Sequence, residues 1–217
     1  MIEVTERVGT VAELHGDDPF TGSDHVTPAV WWCRPTDDAV VLGSRQGVHL
    51  LDEPACARAG LSIVRRRSGG GVVVMRRSSL VWVDVIVPPG FAPDDVRGSM
   101  VWIGEIWRDV LASRTDRALV VHRGGLSCSE WSDLVGFSGV GPGEVLVDGA
   151  KLVGLSQRRT RLGIRIQGLV YSSSVAREYR PLFGGDVPAT DPPGQAWLPD
   201  LDGRSIADEL ATKLTPV

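Results

Sequence analysis

The run Arg65-Arg66-Arg67-Ser68-Gly69-Gly70-Gly71 gathers the groups best suited to chemistry in this chain. Residues 61–64 before it and 72–74 after it read as strands, so the glycines occupy a strand-to-strand turn. Glycine there costs ordering entropy and adds little packing. What it offers is a backbone that a ligand can approach closely, with N–H groups able to face anionic or carbonyl oxygens. The neighbouring guanidinium groups have the fork geometry to hold a phosphate or carboxylate through paired hydrogen bonds.

A second group of the same kind lies about eighty residues on. In Val147-Asp148-Gly149-Ala150-Lys151-Leu152-Val153-Gly154-Leu155-Ser156-Gln157, Asp-Gly marks a primed hairpin turn. Lys151 then heads an apolar strand. Lysine at a hairpin end is usually solvated, but Leu152, Val153 and Leu155 carry this strand into the core and Lys151 with it. An amine there can donate to ligand oxygens and offset charge on an acyl–phosphate group.

The elements that must position these groups follow from periodicity and punctuation. Residues 8–15 read as a short helix, and 29–33, 39–42, 80–87 and 118–122 as strands. Residues 52–60 read as a helix stopped by Gly60. The strand 80–87 (LVWVDVIV) has the unbroken apolar character of a central strand buried on both faces. Asp84 within it needs a partner, and an arginine paired for structural reasons is the expectation. The clearest helix begins at Asp94–Asp95, with Val96, Met100, Ile103, Trp107, Val110 and Leu111 on one face. Residues 144–147 and 151–158 form the Asp-Gly hairpin, and 164–172 the next strand. Trp197 and Leu198 pin a Pro- and Gly-rich stretch. Ser205, with Asp208 three residues on, starts a last helix over 206–214. Strands outnumber helices, so the fold class is α+β with a mixed, largely antiparallel sheet packed with helices.

Composition narrows the function. The chain has 217 residues, 42% hydrophobic and 23% charged, with a net charge of −4. That balance suits a single globular domain over 1–217 and gives no general attraction to nucleic acid or to membranes. Its basic residues cluster locally, as suits a small anionic ligand. Arg76–Arg77 read as solvated strand-end residues. Cys33, Cys56 and Cys128 show no disulfide or metal pattern, and Cys128 reads as a buried bystander. His15, His25, His49 and His122 are scattered, each expected at the surface or in a loop, and no metal site is indicated. Without a leader-like start or a long apolar run, a cytoplasmic protein is expected.

Together the motifs Arg-Arg-x-Ser-Gly-Gly-Gly-x-Val and Asp-Gly-x-Lys-hydrophobic-x-Gly-x-x-Gln resemble the lipoate–protein ligase A family. That family shares its catalytic domain with biotin–protein ligases and octanoyltransferases. The segment Val40-Val41-Leu42-Gly43-Ser44-Arg45-Gln46 is similar to a strand end of the same family, so the resemblance runs from about residue 39 to about 172. It implies an enzyme that attaches a lipoyl or octanoyl group to a lysine of a lipoyl-domain acceptor protein through an acyl-adenylate, with ATP and Mg2+. It further implies that Lys151 is catalytic and contacts carboxyl and phosphate oxygens. Arg66, Ser68, Gly69, Gly70, Gly71, Gly154, Gln157 and Gly168 would bind substrate or adenylate. Alternatives within the resemblance are an octanoyl or lipoyl transferase fed by an acyl carrier protein, and a lipoate-binding paralogue without turnover. The pattern departs at Met75–Arg76, where the ligases have His-Asp, at Ser79 in place of asparagine, and at Gln167 in place of histidine. Gly136 occupies the place of the cysteine used by one transferase branch. The chain is expected to lack the C-terminal accessory domain of the full-length ligases, a function a separate accessory subunit would supply.

Overall fold

The computed structural model describes residues 2–22 and 24–217. In chain order its elements are β1 (Glu3–Gly9), α1 (Val11–Gly16), β2 (Ala29–Pro35), β3 (Ala39–Leu42), α2 (Glu53–Arg58), β4 (Ser62–Arg65) and β5 (Val73–Met75). They continue with β6 (Leu80–Val87), α3 (Val96–Leu111), β7 (Leu119–Val121), β8 (Val145–Val147), β9 (Ala150–Thr160), β10 (Gly163–Tyr171) and α4 (Gly203–Lys213). Seven strands form one sheet in the order β1-β2-β6-β10-β9-β8-β7. Only the β1–β2 pair in it is parallel. A three-stranded sheet, β4-β3-β5, lies apart from it. The architecture is thus α+β with a mixed, largely antiparallel sheet.

Strand β6 shows why the layers form. Its side chains alternate between faces. Val81, Val83, Val85 and Val87 meet α3 and α4 in one core that includes Ile103, Trp107, Ile206 and Leu210. Trp82 faces the other way, into a cluster with Leu14, Val41 and Met75 from α1 and the small sheet. The large sheet is therefore covered by α3 and α4 on one face and by the small sheet with α1 on the other. Asp84 shares the Trp82 face and is fully buried. Its Oδ2 accepts from Arg165 Nε at 2.7 Å, and its Oδ1 accepts from Trp82 Nε1 at 2.6 Å.

Several expectations need correction. Residues 3–9 form a strand that sequence reading missed, because an edge strand of mixed polarity has no clean alternation. The following helix starts at Val11, where Thr10 and Glu13 close a capping box. Asp202, rather than Ser205, caps the last helix by accepting from the Arg204 and Ser205 N–H groups. Val96 is 59% exposed and stands off the buried stripe of α3. Leu198 is buried as expected, but Trp197 is 42% exposed. Arg76 is not simply solvated: it bridges Asp38 and Glu178. Among the described residues no helix is long and apolar enough to cross a membrane.

Candidate functional site

The glycine run does not join two neighbouring strands. β3 lies between β4 and β5, so residues 66–72 cross the end of β3. The crossing is held from inside by Arg66. Its Nη2 donates to the carbonyls of Gly69 (2.8 Å) and Gly71 (2.9 Å), and its Nε also donates to Gly69 O, at 3.2 Å. Arg66 is 7% exposed and among the described residues has no carboxylate partner, and burial pulls its pKa down to about 10. The guanidinium therefore shapes the loop and leaves an uncompensated positive charge beneath it. Gly70 needs to be glycine because its φ is +99°. Gly71 must be small because a Cβ there would sit 2.7 Å from Gly136 N and from the Val135 carbonyl carbon.

Lys151 reaches the same region from β9. The Asp-Gly turn forms as expected, with Asp148 and Gly149 both at positive φ. A register irregularity then follows opposite Val145 and Leu146. Residues two apart on a strand share a face, yet Val153 lies in the core beneath α3 while Lys151 lines a cavity on the opposite side. The bulge re-aims the lysine. Lys151 Nζ lies 2.6 Å from Glu144 Oε2 and donates to Gly136 O at 2.7 Å. The Phe137 ring is 5.4 Å away. Burial holds the Lys151 amine below the usual lysine range and the Glu144 carboxyl above its own, against the attraction between them. An ammonium has three N–H donors, and two are directed at Glu144 and Gly136. The third is available to an oxygen in the cavity.

That cavity has a volume of about 680 Å³ and lies between the two sheets. Among the described residues no strand pairs with β9 on this side beyond Val153, and Val96, Arg97 and Met100 at the start of α3 line the cavity. Part of its wall is apolar, formed by Val41, Val73, Met75, Trp82 and Leu169. Its charged lining is Arg45, Arg66, Arg97 and Lys151 against the carboxylates Asp133 and Glu144. An excess of cations beside an oily wall suits an amphipathic anion. Among the described residues no cluster of three His, Cys, Asp or Glu could hold a metal ion.

The structure brings most of the sequence-derived residues together. Arg66, Gly69, Gly70, Gly71, Lys151, Gly154 and Gln157 all line the cavity. Ser68 and Gly168 do not. Ser68 is buried behind the wall, 3.0 Å from Ser156 Oγ and 3.1 Å from Gln167 Oε1. Gly168 faces the helix layer, where a Cβ would meet the Trp107 ring at 2.6 Å. It is a packing glycine. Cys128 is exposed, contrary to expectation, and no cysteine lines the cavity. His15, expected in a loop or at the surface, is buried in the cavity wall, and burial lowers its pKa to about 3. Sequence reading also gave no role to Glu144. Its place at the head of the strand that the Asp-Gly turn folds back against Lys151, two residues before the Leu146 that pairs with Lys151, was the available signal.

The family described as lipoyl protein ligase A/B catalytic domain matches residues 20–183. No curated protein matches the sequence. Among solved structures, a Thermoplasma acidophilum protein with bound lipoic acid is similar, at a TM-score of 0.72 and 14% identity over 97% of this chain and 83% of that one. A bi-partite lipoate protein ligase from Thermoplasma acidophilum, described with its E2 lipoyl domain, matches at 0.70 and 14% identity, covering 97% and 80% of the two chains. Lipoate-protein ligase A bound with ATP matches at 0.66 and 14% identity over 96% and 82%.

Proposed function

The chain belongs to the lipoyl protein ligase A/B catalytic-domain family, and on that premise we propose that it is a lipoate–protein ligase acting in the cytoplasm. It joins the carboxylate of lipoate or octanoate to the α-phosphate of ATP, releasing pyrophosphate. A lysine amine of a lipoyl domain then attacks the acyl carbon, forming an amide and releasing AMP. The ATP- and lipoate-bound relatives support the two substrates, and the relative described with its E2 lipoyl domain supports the acceptor.

Both the apolar and the charged lining have a part in this. The apolar wall takes the acyl chain. Lys151 donates to the carboxylate in the ground state and to the bridging oxygen as charge develops at the mixed anhydride. Backbone N–H groups of 69–71 face phosphate oxygens, and the Arg66 charge beneath the loop favours that anion. The cavity residues do not form a magnesium cage. The ion would enter on the nucleotide. A second polypeptide completing the enzyme is supported by the bi-partite Thermoplasma acidophilum relative.

The observation that carries the reading is the remaining N–H of Lys151, held in a buried wall that also contains the glycine crossing. Lipoate-dependent exchange of pyrophosphate into ATP tests it. Wild type should exchange, and Lys151→Ala should exchange at least ~100-fold more slowly, the scale of losing one preorganised donor. Absence of exchange with wild type, alone and with the second polypeptide, would rule out adenylation.

A further inference from the structure

One buried polar atom in the cavity wall is not accounted for by the chemistry at Lys151. Among the described residues His15 Nε2 has no hydrogen-bond partner, although His15 is only 8% exposed. Its proton can be assigned from the groups behind it. Ser68 Oγ donates to Gln167 Oε1 at 3.1 Å, which leaves Ser156 Oγ as the donor to Ser68 across 3.0 Å. Gln167 Nε2 lies 3.3 Å from His15 Nδ1. An amide nitrogen only donates, so Nδ1 accepts and the imidazole proton resides on Nε2. Burial and the nearby Arg66 and Arg165 keep the ring neutral.

The imidazole packs against Trp82 with ring centroids 4.5 Å apart and planes tilted by 34°. It therefore borders the apolar part of the cavity wall, with Val41, Met75, Trp82 and Leu169. A buried N–H without an acceptor is unfavourable, and the asymmetry makes it a discriminating group. A ligand that supplies an acceptor removes the penalty, whereas an alkyl chain leaves it in place.

We propose that His15 is a specificity-determining residue whose Nε2–H donates to a sulfur or oxygen in the distal half of the acyl chain. This rests on the reading of the cavity as an acyl site. It selects chains with an acceptor there, such as the dithiolane of lipoate, over a plain alkyl chain such as octanoate. Gln167 is the positioning residue that fixes the tautomer.

Calorimetry with octanoate, lipoate and 7-oxooctanoate, on wild type and on His15→Phe, tests this. Phenylalanine keeps a ring on Trp82 and removes the donor. Wild type should prefer 7-oxooctanoate to octanoate by about 5- to 10-fold, the scale of one neutral hydrogen bond. His15→Phe should reduce that ratio to one or below. A parallel measurement needs no variant to fold. In wild type labelled with 15N-histidine, His15 should be the Nε2–H tautomer, and its Nε2 proton should shift with 7-oxooctanoate and not with octanoate. Equal affinity of wild type for all three acids, a ratio unchanged in His15→Phe, or an Nδ1–H tautomer would each overturn the role of His15 alone. Failure of every acid to bind wild type would overturn the acyl reading as well.

Discussion

Among the described residues two ion pairs are buried, and their surroundings differ. Asp84–Arg165 is sealed. Arg165 Nη2 lies 2.5 Å from Asp84 Oδ2 and donates to Leu14 O at 2.9 Å, and Nη1 donates to Asp17 O. The pair locks α1 and the segment after it onto the large sheet, and neither member lines the cavity. Glu144–Lys151 is as deeply buried but lines the cavity and retains a donor that no described residue takes up. The pair whose polar atoms are all matched ties elements together, and the pair with a donor left over is the one that faces the cavity.

Removing one partner from each pair should break the comparison most sharply if it is wrong. Arg165→Met leaves Asp84 charged and buried, which should cost about 3–5 kcal/mol of stability. Its folded fraction should keep Lys151 in place and retain adenylation. Lys151→Met should also destabilise, by exposing Glu144 to the same penalty, but the folded protein should lose adenylation. Denaturant melts paired with exchange rates per folded molecule measure both. Equal loss of specific activity in the two variants would mean that the sealed pair also serves the site.

Alkaline pH separates the pairs next. Burial depresses the Lys151 pKa, while Asp84 raises that of Arg165 against the cost of burial. Activity should therefore decline at a pH below the usual lysine value of 10.5, by up to tenfold per unit beyond the folded pKa. Stability should not fall with it. In the window between the folded pKa of Lys151 and 10.5 the unfolded chain binds more protons at this site, so its contribution to stability rises with pH. A pH–rate profile beside melts over the same range checks both directions. A stability loss that tracks the activity loss would contradict the assignment.

The smallest expected effect lies in the glycine crossing. Gly71→Ala pushes against Gly136 N and the Val135 carbonyl carbon, both main-chain atoms. It should cost roughly 1–3 kcal/mol. It should also move the Gly136 carbonyl that Lys151 donates to, lowering exchange several-fold, with the Asp84 pair undisturbed. Gly69→Ala meets nothing within 4 Å and should fold as wild type does. A Gly71→Ala protein with wild-type exchange would detach the crossing from the lysine.

Much of the fold was legible because its patterns are local. The apolar run of β6, the helical stripe of α3 and the Asp-Gly hairpin each depend on residues near one another in sequence. β1 was missed because its partner β2 is some twenty-six residues away and only pairing makes it a strand. Cys128 was expected to be buried from its residue type, and a loop carries it into solvent. His15 had no motif around it, and its value comes from Gln167, Ser68 and Trp82, which lie on other elements.

From the sequence alone came the family, the α+β class and the residue types of the site, since glycine, arginine and lysine carry their chemistry wherever they stand. The tertiary structure decided how that chemistry is directed. It turned Arg66 inward to hold the loop, used a bulge to swing Lys151 onto the cavity side, and set Glu144 and His15 into the wall. Those outcomes depend on register and on contacts between distant segments, and a one-residue slip in a strand reverses the face a side chain presents.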